Sequence, residues 1–259
     1  MSFDPNLNPV IEKASNEDLQ YLVEILTGAV TNFLEVDSDY KTYCPDHQKY
    51  APKIADEIRT FGGNTFANLC RGGEGPEYKE IVCDVADELK APYNKESDIE
   101  KIESSIIETT LAKALEKMSD EEKSLLLKEL GINHKDSLTG PGLTAALIAA
   151  FRMGGFMSYQ LTVSVVNAVV KILIGHGLST AANAALTKAM SILVGPIGLV
   201  ITGIWALLDI AGPAKRVTIP SVLYVAMLRK KYNTPICPHC KKMVSPGSKF
   251  CPECGGKLE

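Results

Sequence analysis

Residues 189–208 read AMSILVGPIGLVITGIWALL, a run of 20 consecutive positions without a charged side chain. A helix needs about 20 apolar residues to cross the hydrocarbon core of a bilayer, so this run has the length of a membrane span. A central helix of a bundle has the same composition, because the helices around it cover it on every side. The run therefore indicates either a membrane helix or a buried core helix, and the sequence leaves both alternatives open.

The apolar character extends well beyond this run. Between positions 143 and 211 only four residues carry a charge, namely Arg152, Lys171, Lys188 and Asp209. We predict that two segments, Met153 to Ile174 and Ala189 to Leu208, form a glycine- and alanine-rich apolar helical hairpin. In the membrane alternative Arg152 and Lys215 would flank the hairpin on its cytosolic side, in agreement with the positive-inside rule.

The rest of the chain before its last two dozen residues shows helical periodicity. Ser15 and Ser119 each stand three residues before an acidic side chain, which is typical of a helix start. Gly131 follows the second of these helices at a position where glycine commonly ends a helix. Residues 53–60, 78–89 and 97–118 predict three more helices, and residues 215–231 predict an amphipathic helix with a basic end.

Four of the seven cysteines form two C-x-x-C pairs near the C-terminus, Cys237-Pro238-His239-Cys240 and Cys251-Pro252-Glu253-Cys254. Each pair places two thiolates on one tight turn, a knuckle, and two knuckles complete a tetrahedron around Zn²⁺. The pattern resembles the zinc-ribbon family, although Lys241 occupies a position where the first knuckle usually has glycine. We predict one structural Zn²⁺, held by Cys237, Cys240, Cys251 and Cys254.

The ribbon is too short to bury a core of its own. For a segment of this size the metal supplies the folding energy, on the order of 10 kcal/mol or more. Four protein ligands leave no open position for water, so the zinc is predicted to be structural and not catalytic. His239 lies inside the first knuckle and is expected to face the solvent. A ribbon of this kind usually presents a surface to a partner, here an unidentified protein.

These observations together predict the architecture. The fold class is all-α, a multi-helix bundle that contains the apolar helical hairpin and ends in the small zinc ribbon. We divide the chain into an N-terminal helical region (1–140), an apolar helical region (141–232) and the ribbon (233–259).

A search for catalytic residues finds no complete set. The glycine-rich residues 72–75 lack the Lys-Ser or Lys-Thr of a phosphate-binding loop. Asp209, beside the apolar run, is the one carboxylate whose position suggests a function. An enzyme would be indicated only if Cys44, His47, Asp84 and His134 met in one cleft. We therefore expect a non-enzymatic protein, and name no catalytic residue.

Composition and the N-terminus limit the partners and the compartment. The formal net charge of −4 argues against a dedicated nucleic-acid binder, which usually carries a basic face. The first six residues are polar and acidic, unlike a signal peptide, so we expect a cytoplasmic protein, either free or at the inner face of the cell membrane. Thiols stay reduced in that compartment, which favours metal ligation over disulfides.

Several stretches resemble the YaaW family of uncharacterised bacterial proteins. They are Ser15-Asn16-Glu17-Asp18-Leu19, Phe61-Gly62-Gly63-Asn64-Thr65, residues 78–85 and the run from Trp205 to Pro220. The resemblance covers roughly residues 10–232 and leaves the ribbon outside it. It implies a shared fold and adds no catalytic residue.

Two hypotheses of function follow. In the first, the protein associates with the inner face of a membrane through residues 153–174 and 189–208, inserting on a trigger, and the ribbon docks a partner. In the second, it is a soluble assembly factor or chaperone whose apolar helices form its own core and whose ribbon recognises a client. Self-association remains open in both.

Overall fold

A computed structural model describes residues 3–29, 32–63, 75–132, 139–175, 177, 193–208, 214–245 and 247–258. Within these ranges the chain forms eleven α-helices, and its only β-structure is a pair of isolated bridges in the ribbon. The helices are α1 (Asn8–Lys13), α2 (Asn16–Thr27), α3 (Ser38–Tyr43), α4 (Ala51–Gly62), α5 (Tyr78–Leu89), α6 (Ile99–Leu115), α7 (Asp120–Glu129), α8 (Pro141–Arg152), α9 (Gly155–Ile174), α10 (Val194–Leu208) and α11 (Lys215–Asn233). Two 3₁₀ turns, Leu34–Val36 and His47–Tyr50, lie between α2 and α4. The predicted all-α fold with a small ribbon is confirmed.

Local sequence signals set several helix ends. The Ser15 hydroxyl accepts a hydrogen bond of 3.1 Å from the Asp18 amide at the start of α2. Ser119 and Glu122 form a complete capping box at the start of α7. Gly131 follows α7 with a φ of 73°, a left-handed conformation that glycine adopts without steric penalty. These residues satisfy backbone groups that have no partner inside the helix.

Helix α11 is the central element of the body. Every residue from Val217 to Arg229 is buried, because α1, α2, α4, α5, α6, α9 and α10 all pack against it. The sequence predicted an amphipathic helix here. That prediction is wrong for most of the helix, since neighbours on all sides leave no water-facing stripe.

The predicted hairpin corresponds to α9 packed against α10. Residues 158–170 of α9 are buried without exception, so the chain itself supplies their apolar surroundings. Helix α10 begins only at Val194, which places Pro196 in the first turn, where its missing N–H is tolerated. Leu199 on this helix is 66% exposed. Residues 189–192 and most of the connector lie outside the described ranges.

A sharp corner separates α8 from α9. Gly154 and Gly155 both have a positive φ, 75° and 64°, and the two helix axes meet at 110°. Among the described helices, none is by itself both long and apolar enough to span a membrane. This bent pair passes that test of length and composition only when its two helices are taken together.

The buried apolar side chains fall into two clusters. The larger cluster runs from Leu7 to Leu228 and includes side chains on both sides of position 140. The smaller cluster consists of Cys237, Val244 and Cys251 in the ribbon. The ribbon thus has an interior of its own, and the division of the body at residue 140 stays a prediction.

Candidate metal centre

Both C-x-x-C pairs fold into the same backbone shape. Four hydrogen bonds of 2.8 to 3.0 Å define the two knuckles: Cys237 N to Lys242 O, Lys241 N to Cys237 O, Cys251 N to Gly256 O and Gly255 N to Cys251 O. In each knuckle, the amide four residues after the first cysteine donates back to the carbonyl oxygen of that cysteine, and this bond closes the turn. The repetition shows that the spacing of the cysteines sets the turn, as the sequence predicted.

The two knuckles differ at the residue that closes the turn. Gly255 has a φ of 69° and Lys241 a φ of 61°, so both occupy the left-handed region. A residue with a side chain is disfavoured there by roughly 1 kcal/mol, whereas glycine is not. In the first knuckle, Lys241 therefore adopts a left-handed conformation that favours glycine.

The four sulfur atoms form a compact set. All of them lie within 4.8 Å of one another, with 3.7 Å between Cys237 and Cys254 and 3.6 Å between Cys240 and Cys251. A tetrahedral site with Zn–S bonds of about 2.3 Å has sulfur–sulfur edges of about 3.8 Å. A disulfide would bring two sulfurs to about 2.0 Å. The spacing fits a zinc ion and does not fit disulfide bonds.

The two cysteines of the first knuckle differ: the backbone favours the thiolate form of Cys237, whereas, against the effect of the Lys242 amide, desolvation and the neighbouring thiols raise the pKa of Cys240. The amide of Cys240 and, with a smaller effect, that of His239 lower the pKa of the Cys237 thiol to about 6, against the opposing effect of desolvation. Outside the centre, Lys242 donates to the Glu253 carboxylate, and this pairing raises the pKa of Lys242. Backbone amides thus offset negative charge on the Cys237 sulfur.

Comparison with known proteins agrees with this geometry. A family model for a zinc-ribbon domain matches residues 236–258. The predicted zinc ribbon and its structural zinc ion are therefore confirmed, and Cys237, Cys240, Cys251 and Cys254, whose sulfurs lie close enough together to hold the ion, stay its predicted ligands.

The chain also has relatives among known proteins. Two UPF0174 proteins of Helicobacter pylori are 49% and 43% identical to it, over 74% and 75% of this chain and 76% and 94% of theirs. The UPF0174 protein YaaW of Escherichia coli is 33% identical over 71% of this chain and 73% of its own. The chain belongs to the UPF0174 family. The resemblance to the YaaW family is confirmed, and no solved structure matches this UPF0174 protein significantly.

Among the described residues, the other cysteines and histidines of this UPF0174 protein do not belong to the group of four sulfurs. His239 is exposed, and its Nε2 lies 3.3 Å from the Lys257 carbonyl oxygen, as expected for a residue that is not a ligand. Cys44 is exposed and Cys83 half-buried, both as free thiols. Cys70 lies outside the described residues.

The described residues of the conceivable enzyme site, Cys44, His47 and Asp84, are not bonded to one another. The His47 ring is buried and bonds to the Tyr50 hydroxyl and, at 2.6 Å, to the Gln20 amide oxygen. Desolvation lowers the pKa of His47. Within the part of the chain that the structure describes, no bond joins any two of Cys44, His47 and Asp84. His134 and Asp209 lie outside that part.

A buried charged cluster that the sequence did not predict lies between α6 and α11. The Arg229 guanidinium donates to both Glu103 carboxylate oxygens, at 2.7 and 3.1 Å, and the Tyr78 hydroxyl donates to one of them at 3.0 Å. Burial raises the pKa of Glu103, and Arg229 opposes that rise. The signal in the sequence was a glutamate next to Ile102 on the apolar face of α6.

A small pocket adjoins this cluster and reaches the end of α11. It has a volume of about 170 Å³ and is lined by residues that include Glu103, Arg229, Lys230 and Thr234. The Lys230 ammonium donates to the Ser158 hydroxyl at 2.7 Å. Burial lowers the pKa of Lys230 to about 8. In the described residues no carboxylate forms an ion pair with this lysine.

Proposed function

We propose that this protein is a non-enzymatic interaction protein whose zinc ribbon docks a partner protein. The observation that carries the proposal is a pair of apolar side chains on the ribbon surface, Ile236 and Phe250, which are 58% and 61% exposed. The zinc holds the turns on which they stand and offers no open position for catalysis. Rigidly held aromatic and aliphatic side chains are typical anchors of protein interfaces.

The charges around these two side chains indicate the chemistry of the partner. Lys241, Lys249 and Lys257 are exposed, and within the described residues none of them pairs with a carboxylate. Lys242, by contrast, is neutralised by Glu253. A partner that presents apolar side chains flanked by acidic residues would complement this surface.

Capture experiments with matched variants test the proposal. The full zinc-loaded chain should retain a partner in stoichiometric amount, and Ile236→Ser combined with Phe250→Ser should lose it. Phe33→Ser is the control, because Phe33 is 63% exposed on the body and so is a matched aromatic change. If the double variant keeps its zinc and still binds the same proteins as the wild type, the ribbon surface is not the docking site.

A second candidate function is association with the inner face of the cell membrane, which would place the protein in the cytoplasm at that surface. It is favoured by the bent pair α8–α9, whose length and composition suit a broken span. Two large apolar side chains of this region are also exposed, Met153 at 57% and Leu199 at 66%. Insertion would need the chain to uncover α9, which is buried.

Flotation with vesicles of phosphatidylglycerol and phosphatidylcholine tests this second candidate. The wild-type chain should float with the vesicles, and Met153→Ser combined with Leu199→Ser should float less. Leu125→Ser, which removes an apolar side chain that is 43% exposed on α7, should behave as the wild type. A wild-type chain that never floats would eliminate membrane association.

A further inference from the structure

The ribbon rests on the corner between α8 and α9. The Ser245 hydroxyl donates to the Met153 carbonyl oxygen at 2.9 Å. The Lys242 ammonium lies 5.6 Å from the centre of the Phe156 ring, and Met243 packs against the large core cluster. Three successive parts of one ribbon loop therefore contact the corner or the core beside it.

The corner is shaped to admit this loop. A Cβ atom built on Gly155 would lie 2.8 Å from the Ser245 hydroxyl oxygen, closer than real Cβ atoms approach, and 3.0 Å from the Ser245 amide nitrogen, which is a tight contact. Gly155 also has a positive φ, so any side chain there is disfavoured twice. The bare backbone of the corner and the ribbon loop are thus complementary in shape.

The connection between ribbon and body is short and ordered. Helix α11 ends at Asn233, and both the amide and the hydroxyl of Thr234 bond to the Lys230 carbonyl oxygen. The ribbon's own pairing begins at the next residue, where Val244 N donates to Pro235 O at 2.8 Å. A link this short gives the ribbon an effective concentration in the millimolar range at the corner, so a few contacts suffice to dock it.

We propose that the zinc-loaded ribbon is a latch on the α8–α9 corner, so that its partner on this side is the chain's own helical body. The small ribbon interior depends on the metal for its fold. Loss of zinc then removes the shape that fits the corner and frees residues 153–156. The latch uses Lys242, Met243 and Ser245, whereas Ile236 and Phe250 remain available for another partner.

Hydrogen–deuterium exchange on the full chain tests the latch. With zinc bound, the amides of residues 153–158 should be protected. After chelation, with zinc loss verified by metal analysis, they should exchange at least several-fold faster. Amides of α5, which packs against α4, α6 and α11, are the internal reference and should not change. Unchanged protection of the corner in the zinc-free chain would overturn the proposal.

A matched pair of ribbon variants separates docking from metal binding. Ser245→Val adds bulk where the loop approaches Gly155 and removes the bond to Met153, but it leaves all four thiolates in place. It should open the corner with zinc still bound. Ser248→Val makes the same change in the same loop, at a described side chain that forms no hydrogen bond to the corner, and should leave exchange as in the wild type. A zinc-loaded Ser245→Val chain with full protection at the corner would also refute the latch.

The latch can be tested independently of the proposed functions. A corner that opens on chelation without any gain in vesicle binding would support the latch and count against membrane association. A corner that stays closed, in a chain that captures its partner through Phe250, would reject the latch and leave the docking proposal intact.

Discussion

Replacing Arg229 by methionine should destabilise the body more than any change to a surface ion pair. The Arg229 and Glu103 side chains are only 7% and 3% exposed, so water cannot take the place of the missing partner. Breaking a buried pair in this way costs about 3–5 kcal/mol, because a charge is left without compensation. That loss is a large part of the roughly 5–15 kcal/mol that stabilises a typical domain, and should lower the melting temperature by roughly 10 °C.

The loss of stability caused by Arg229→Met should become larger as pH rises. Burial already raises the pKa of Glu103, and Arg229 opposes the rise, so Arg229→Met raises that pKa further. An acid whose pKa is higher in the folded state binds more protons there than in the unfolded state, and the free energy of unfolding then falls as pH rises. This fall occurs over the pH range that begins at the ordinary carboxyl pKa of 4.5 and ends at the pKa of Glu103 in the folded protein. The variant should therefore lose more stability at pH 8 than at pH 5.

Urea unfolding followed by helical ellipticity measures this effect on the body. Arg152→Met is the control, because Arg152 also binds a carboxylate through two bonds, 2.9 and 2.6 Å to Glu108, but is 66% exposed. That change should have little effect, as is usual for surface pairs. Glu103→Leu combined with Arg229→Met should recover most of the loss. Equal losses at the two arginines, or a loss that is the same at pH 5 and pH 8, would refute the reasoning.

Three further predictions concern the metal centre and the buried lysine. Cys251→Ser should abolish the single equivalent of bound zinc, measured by metal analysis, while the ellipticity of the body is unchanged. Lys241→Gly relieves a left-handed backbone and should strengthen zinc retention against a chelator by about 1 kcal/mol, whereas Lys249→Gly, where φ is not positive, should not. Lys230→Met should raise the free energy of unfolding by about 1–3 kcal/mol at pH 7. The folded pKa of Lys230 is depressed to about 8 from 10.5, so the gain should fade as pH rises between those values in urea titrations.

Features that depend on a few adjacent residues could be predicted from the sequence. The capping of α2 and α7 needs only a hydroxyl and a suitably spaced partner, and both caps are present. The zinc ribbon follows from the spacing of two C-x-x-C pairs. The departure at Lys241 was also visible, and the structure shows its consequence as a positive φ. In each case the physical cause lies within one turn of chain.

Features that depend on distant segments were missed. The sequence of α11 suggested one polar face, because its basic residues are visible while the seven helices that cover it are not. The pairing of Glu103 with Arg229 joins positions 126 residues apart, and no local pattern connects them. The sequence predicts an apolar helix that begins at Met153, because two adjacent glycines do not by themselves fix a positive φ, whereas the chain turns at Gly154 and Gly155.

The end of α11 connects the body to the ribbon, and this explains why its basic residues are not a surface patch. Arg229 binds Glu103 of α6, Lys230 binds Ser158 of α9, and Lys231 binds Asp18 of α2 at 2.7 Å. Three consecutive residues thus fix the last turn of α11 against three helices. Because Thr234 and Pro235 follow directly, the same bonds set the direction in which the ribbon leaves the body. Weakening the Arg229 pair should therefore loosen the ribbon at the α8–α9 corner as well as the core.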